Sequence, residues 1–199
     1  MRRIVMFNRV SADGYFASSD GGLDWAVPDE AIDQAGADRM KDFDTMLFGR
    51  RTYDAFESFW PHAEGHPETA GDPHSDGRRT KTMLSMARWI NQTRKCVFSS
   101  SKKQVTWQNS QLFAQFDPAE LTALKQAPGK DMIVFGSGSL VAQLTEHRLI
   151  DEYQFIVGPV LLGEGRSPIR GVAARVPLQL LEAKPYASGN VMLRYARRE

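Results

Sequence analysis

The segment D-M-I-V-F-G-S-G-S-L, residues 131–140, constrains this chain more than any other. A short apolar run with a buried-strand pattern ends in glycine and serine, and a helical stretch follows. A strand that turns through Gly-x-Gly into a helix gathers free backbone N–H groups and the positive end of a helix dipole at one spot. That spot suits a phosphate or pyrophosphate. Gly136 and Gly138 let the backbone approach an anion closely, Ser137 and Ser139 add hydroxyl donors, and Leu140 starts the helix body.

The rest of the chain repeats the alternation of strand and helix. Strands are expected at 3–10, 45–48, 95–99, 130–135 and 151–157, with smaller ones at 105–107 and 112–116. Helices are expected at 50–59, 80–92 and 140–147. Asp29 opens another after Pro28, with Ala31, Ile32, Ala35, Met40 and Phe43 on its buried side. Asp117 opens one more as N-cap, with Pro118 at the first helical position. Residues 11–23 form a glycine-rich mobile loop, and 61–79 an exposed one. The chain closes with an antiparallel pair at 178–184 and 191–197. This order predicts a three-layer αβα fold with a mostly parallel central sheet and an antiparallel C-terminal strand pair, as a single domain over 1–199.

Composition narrows the partners. A formal net charge of +1 gives no global field to recruit nucleic acid or an anionic membrane. No apolar run approaches the roughly 18 residues of a membrane span, so a cytoplasmic protein is expected. One cysteine, Cys96, rules out an internal disulfide framework and a multi-cysteine metal site. His62-Ala63-Glu64 matches one half of a zinc-deaminase signature, but the other half needs two cysteines. His62, His66 and His74 have no Cys or carboxylate spacing that closes a coordination shell, so no metal is expected.

Three further segments carry chemistry. In F-G-R-R-T-Y a strand ends at Gly49 and a helix begins with Arg50, Arg51 and Thr52. Cations are unfavourable at that helix end, and a bound anion offsets the cost. Ser99, Ser100, Ser101 and Lys102 follow a strand directly, at the sheet end where open α/β folds bind ligands. A 2′-phosphate is a natural guest there, which favours NADP over NAD. The loop with Asp13, Tyr15 and Phe16, together with Trp25, can close over a flat ring. Asp13 is a candidate proton donor, or the shaper of its Asp-Gly turn; Trp25 is a ring contact or a partly buried core residue.

Taken in order, S-A-D-G-Y, L-F-G-R-R-T-Y, W-I-N-Q-T-R-K-C-V-F-S-S, G-K-D-M-I-V-F-G-S-G-S-L and L-I-D-E-Y-Q-F-I-V-G-P-V-L-L-G-E-G resemble the dihydrofolate-reductase-like superfamily. Within it the chain looks like the family of the riboflavin-biosynthesis reductase C-terminal domain, without a deaminase. The resemblance implies an NADPH-dependent reductase that passes hydride to a conjugated C=N or C=O of a small heterocyclic or sugar-derived substrate. An NADPH-binding sensor without turnover is the alternative. It places the phosphates at Gly49, Arg50, Arg51 and Thr52, and the adenosine end at Ser99, Ser100 and Ser101, with Lys102 near the 2′-phosphate. The pyrophosphate falls at Gly136, Ser137, Gly138, Ser139 and Leu140, and the nicotinamide near Ala12, Asp13 and Ala17. On the substrate side it points to Tyr15, Trp25, Tyr53 and a first-helix carboxylate, with Asp29, Glu30 and Asp33 as candidates. Phe135 stands where riboflavin-pathway reductases commonly carry an acidic residue, so a less polar ring is expected. The family also implies a homodimer, often built through the sheet's edge.

Overall fold

The computed structural model describes residues 1–64 and 80–198. Its strands are β1 Ile4–Ser11, β2 Phe43–Gly49, β3 Arg94–Phe98, β4 Ser110–Phe113, β5 Asp131–Phe135, β6 Glu152–Gly158, β7 Leu178–Pro185 and β8 Val191–Arg197. They form one sheet in the order β4-β3-β2-β5-β1-β6-β8-β7. The strands from β4 to β6 run parallel, and β8 and β7 are antiparallel additions. The helices are α1 Glu30–Arg39, α2 Arg50–Phe59, α3 Lys81–Gln92, α4 Pro118–Gln126 and α5 Gly138–Glu146. The expected three-layer α/β architecture is the one observed.

Strand alternation distributes the core between two faces. Ile4, Met6, Leu47, Met132 and Val134 point to one face, against Leu121 of α4 and Leu140 and Leu144 of α5. Val5, Met46, Phe48, Val97 and Ile133 point to the other, against Tyr53 of α2 and Ile90 of α3. Central strands buried on both faces read as continuous apolar runs, which is why 4–6, 46–48 and 132–134 are uniformly apolar.

Four expectations are corrected. Within α1 only Ile32 is buried; Met40 belongs to a following 3-10 turn, and Phe43 already starts β2. The segment 105–107 forms no strand: Trp107 is buried instead, its indole Nε1 donating to Asn91 Oδ1 at 3.0 Å. The strand expected to reach 116 stops at Phe113. Helix α5 begins at Gly138, so the second glycine lies in its first turn. Most of the loop expected at 61–79, with His66 and His74, lies outside the described residues.

Candidate functional site

β2 and β5 are neighbours in the sheet, but their helices leave to opposite faces, α2 to one and α5 to the other. This divergence opens a crevice at the carboxyl ends of the strands, the place where α/β sheets bind ligands. Two hydrogen bonds tie the turns together there. The Gly49 N–H donates to Ser137 Oγ at 2.9 Å, and the Ser137 N–H donates to Thr52 Oγ1 at 2.9 Å. Gly136 and Ser137 both sit at φ +52°. A Cβ on Gly136 would lie 2.9 Å from Thr52 Oγ1, so only glycine keeps the two turns this close.

The consequence is electrostatic. Asp29, Thr80 and Asp117 cap α1, α3 and α4 with their side chains. Neither α2 nor α5 has a side-chain cap: Gly49 has no side chain to offer, and the Ser137 hydroxyl is turned toward Gly49. Two positive dipole ends with uncapped N–H groups therefore meet in one crevice, and an anion would satisfy them. Arg50 and Arg51 stand in the first turn of α2, and Arg50 is partly answered by Asp54 at 3.3 Å.

The crevice opens into a cavity of about 1910 Å³. Ligand pockets usually run to about 300–1,000 Å³, so this one has room for a dinucleotide and a second molecule. One end is lined by Gly49, Arg50, Arg51, Thr52, Ser99, Ser100, Ser101, Gly136, Ser137, Gly138 and Ser139, all anticipated from sequence. Ala17, Asp29 and Phe135 also face it. Around Ser99 the chain folds back, so that Ser99 Oγ accepts from the Lys102 N–H at 3.0 Å and the Ser101 N–H at 3.3 Å.

Several anticipated residues are placed elsewhere. Tyr53, expected to meet substrate, is fully enclosed; its hydroxyl donates to Glu57 at 2.9 Å and accepts from the Trp107 N–H at 3.2 Å. Lys102, expected near a 2′-phosphate, is held by Asp54 at 2.7 Å and lies 4.8 Å above the Tyr53 ring. The hydrogen bond to Asp54 pushes its ammonium pKa upward. Leu140 has its side chain in the core and does not line the cavity.

Asp13 is exposed and outside the cavity. Its carboxylate accepts from Ser11 Oγ at 2.6 Å, from the Gly163 N–H at 2.8 Å and from the Leu162 N–H at 3.1 Å. The Ser11 hydroxyl, and after it these amides, hold its pKa below the ordinary aspartate value. These hydrogen bonds tie Asp13 to residues 162 and 163 and brace the loop. Ala12 joins the same brace by donating to Val160 O at 2.8 Å, and Tyr15 packs beside Gly165. Trp25 lies beside Gly158, outside the cavity lining.

These contacts make the loop 11–23 a cover. Ala17 pairs with Arg166, whose guanidinium donates to Ser19 O and Asp20 O at 3.2 and 2.9 Å. The Phe16 ring lies directly on Gly138, where an added Cβ would come within 2.8 Å of it. Asp29 faces the cavity but serves as N-cap, accepting from the Ala31 N–H at 2.9 Å and from Ser188 Oγ. Of the three first-helix carboxylates, Asp33 reaches the cavity one turn further along and pairs with Arg9 at 3.0 Å. Sequence reading missed Phe7, Arg9, Phe56 and Ser167 as lining residues. Phe7 was discoverable from alternation with Val5, and Phe56 from its position four residues after Thr52 on one helix face.

The fold is a layered α/β domain whose crevice lies at the carboxyl ends of its parallel strands. The chain belongs to the RibD C-terminal domain family, whose model matches residues 2–192. It is 28% identical over 195 residues to the uncharacterized protein YyaP of Bacillus subtilis (strain 168), covering 98% of this chain and 94% of that one. It is 26% identical over 197 residues to the uncharacterized YwjB of the same strain, covering 98% of each. Among solved structures it resembles a Shewanella sp. PV-4 protein whose name ties it to riboflavin biosynthesis, with TM-score 0.74, 20% identity and 99% of both chains covered. It also resembles the Enterococcus faecalis dihydrofolate reductase solved with NADP(H) and RAB-propyl, with TM-score 0.62, 12% identity, and 99% and 97% of the chains covered. A bifunctional deaminase and 5-amino-6-(5-phosphoribosylamino)uracil reductase of Thermotoga maritima matches with TM-score 0.66 and 12% identity, over 99% of this chain and 57% of that one.

Proposed function

We propose that this protein is an NADPH-dependent reductase acting on a small conjugated ring or imine. The observation that carries the reading is the meeting of two uncapped helix N-termini, α2 and α5, in one crevice. The residues present fit a dinucleotide diphosphate: glycine where the backbone must come close, donor N–H groups without side-chain caps, and arginines at the rim. Gly49, Arg50, Arg51 and Thr52 would hold one phosphate, and Gly136, Ser137, Gly138 and Ser139 its neighbour. Ser99, Ser100 and Ser101 would seat the adenosine end, with Lys102 behind them, paired with Asp54 of α2. When bound, NADPH supplies a hydride. The chain positions the ring, and the stitched loop 11–23 excludes water over it.

A homodimer is part of the proposal, because β7 ends the sheet with Leu180 and Leu181 about half exposed. The function is tested by adding NADPH and following 340-nm absorbance with a panel of pteridines, pyrimidine ribitylamines and quinones. Saturable NADPH binding with oxidation by at least one acceptor is expected. Binding without oxidation by any acceptor would replace the enzyme with a sensor, and no binding would end both readings. Replacing Ser100 with alanine should weaken NADPH more than NADH.

A further inference from the structure

We propose that the middle of the cavity is a seat for a flat, uncharged aromatic or quinone-type ring, held on Phe7, Phe56 and Phe135 by stacking and dispersion rather than by hydrogen bonds. The inference rests on the cavity being the substrate site of the proposed reductase. Phe7 of β1 and Phe135 of β5 are register partners, with ring centroids 5.9 Å apart at 69°. Phe56 of α2 continues the wall 5.7 Å from Phe135 at 31°, and Trp60 follows 6.0 Å from Phe56 at 46°. All four rings line the cavity and are only partly buried, whereas Phe48 and Tyr53 behind them are completely enclosed. Three separate elements thus deliver ring faces and edges to one wall, at spacings that leave another ring room to stack or pack edge-on.

Three polar groups beside the wall already make hydrogen bonds within the protein. Asn8 Nδ2 donates to Gly136 O at 3.4 Å, and Thr52 Oγ1 accepts from the Ser137 N–H. Arg9 donates to Asp33 at 3.0 Å on the α1 side. A pterin or pyrimidine pressed against Phe7 and Phe135 would meet aromatic carbon there, and each ring N–H or C=O left without a partner loses roughly tenfold in affinity. A ring with an apolar face and few edge donors loses nothing there.

The test titrates the full chain with 2,3-dimethyl-1,4-naphthoquinone and with 6-hydroxymethylpterin. The readouts are tryptophan fluorescence and calorimetry, each with and without NADPH. The naphthoquinone should bind at least ten times more tightly than the pterin. Phe135→Asp, shown folded by circular dichroism, should lose at least tenfold of that affinity, and Phe135→Leu and Phe7→Leu several-fold each. The two leucine variants decide the matter if the aspartate variant fails to fold. Equal or tighter pterin binding overturns the proposal whatever NADPH does, and so does naphthoquinone binding indifferent to Phe135 and Phe7. Failure of NADPH to bind, with the ring preference intact and dependent on Phe135, would remove the reductase reading and leave the ring seat standing.

Discussion

Gly136 shows how much one residue decides here. It holds a left-handed backbone at φ +52° while Thr52 crowds the place where a side chain would stand. Gly136→Ala should cost about 1–2 kcal/mol of stability from the left-handed strain alone. It should also weaken NADPH at least tenfold by pushing the β2 and β5 turns apart; urea melts and a nucleotide fluorescence titration measure the two effects separately. Asp13 gives the opposite case. Asp13→Ala should speed amide exchange at Leu162 and Gly163 roughly tenfold, because both N–H groups lose their acceptor. The pH profile of turnover should stay as it is, and a shifted profile would restore Asp13 to the chemistry. What was legible at this scale was backbone chemistry: glycines and short polar residues at strand ends announce their turns locally. Side-chain destinations were not. Tyr53 follows Thr52 by one residue, and a rotation of about 100° carries it from the crevice into the sheet face. Lys102 pairs with Asp54, a partner 48 residues away that no local pattern reveals.

The elements were easier to read where caps and breakers mark them. Asp117 with Pro118, and Asp29 after Pro28, start α4 and α1 as their chemistry requires. The segment 105–107 misled because its β-branched and aromatic residues favour a strand, whereas Trp107 found a buried partner in Asn91. Asp29 makes a sharper point. It caps α1 and also accepts from Ser188, so it joins the helix to the β7–β8 turn. The Ser188 hydroxyl, and then the α1 amides, hold its pKa below the ordinary value. Because the folded pKa is the lower one, this stabilisation is complete above about pH 4, where the unfolded aspartate is ionised, and is lost as pH falls through the folded value. Asp29→Ala should cost about 1 kcal/mol at neutral pH, and the difference from the parent should shrink as denaturation curves are taken toward pH 3. A difference that grew on acidification would contradict the assignment. Lys95 is a second inter-element tie. Its ammonium is fully buried, donates to Asn91 O, Thr93 O and Gln108 O, and is pushed down to about 8 by burial. Lys95→Met leaves three carbonyls without that donor and should destabilise by about 2 kcal/mol or more in chemical denaturation.

At the scale of the molecule, the class was legible but the sheet order was not. Alternating strands and helices force a layered α/β fold, yet no local signal says that β5 inserts between β2 and β1. That insertion creates the crevice, since it brings two turns 87 residues apart in sequence, at Gly49 and Gly136, to within a shared pair of hydrogen bonds. A ligand bridging α2 and α5 therefore reports on the entire sheet rather than on one loop. With NADPH at a hundred times its dissociation constant, linkage adds about 2.7 kcal/mol to stability. For a chain of this length that should raise Tm by roughly 5–10 °C in scanning calorimetry. The other edge of the sheet makes its own demand. β7 is an outermost strand whose register shifts between Leu180 and Glu182, leaving Leu180 and Leu181 consecutive and 52% and 49% exposed. Unpaired edges carrying leucine invite association, and a second copy of this chain would satisfy both the open edge and the apolar side chains. Sedimentation should show a dimer, and the double change Leu180→Glu with Leu181→Glu should give a folded monomer. NADPH affinity should change little in that monomer, because β7 stands at the far side of β8 from the crevice. A monomeric parent protein at tens of micromolar would refute the interface outright.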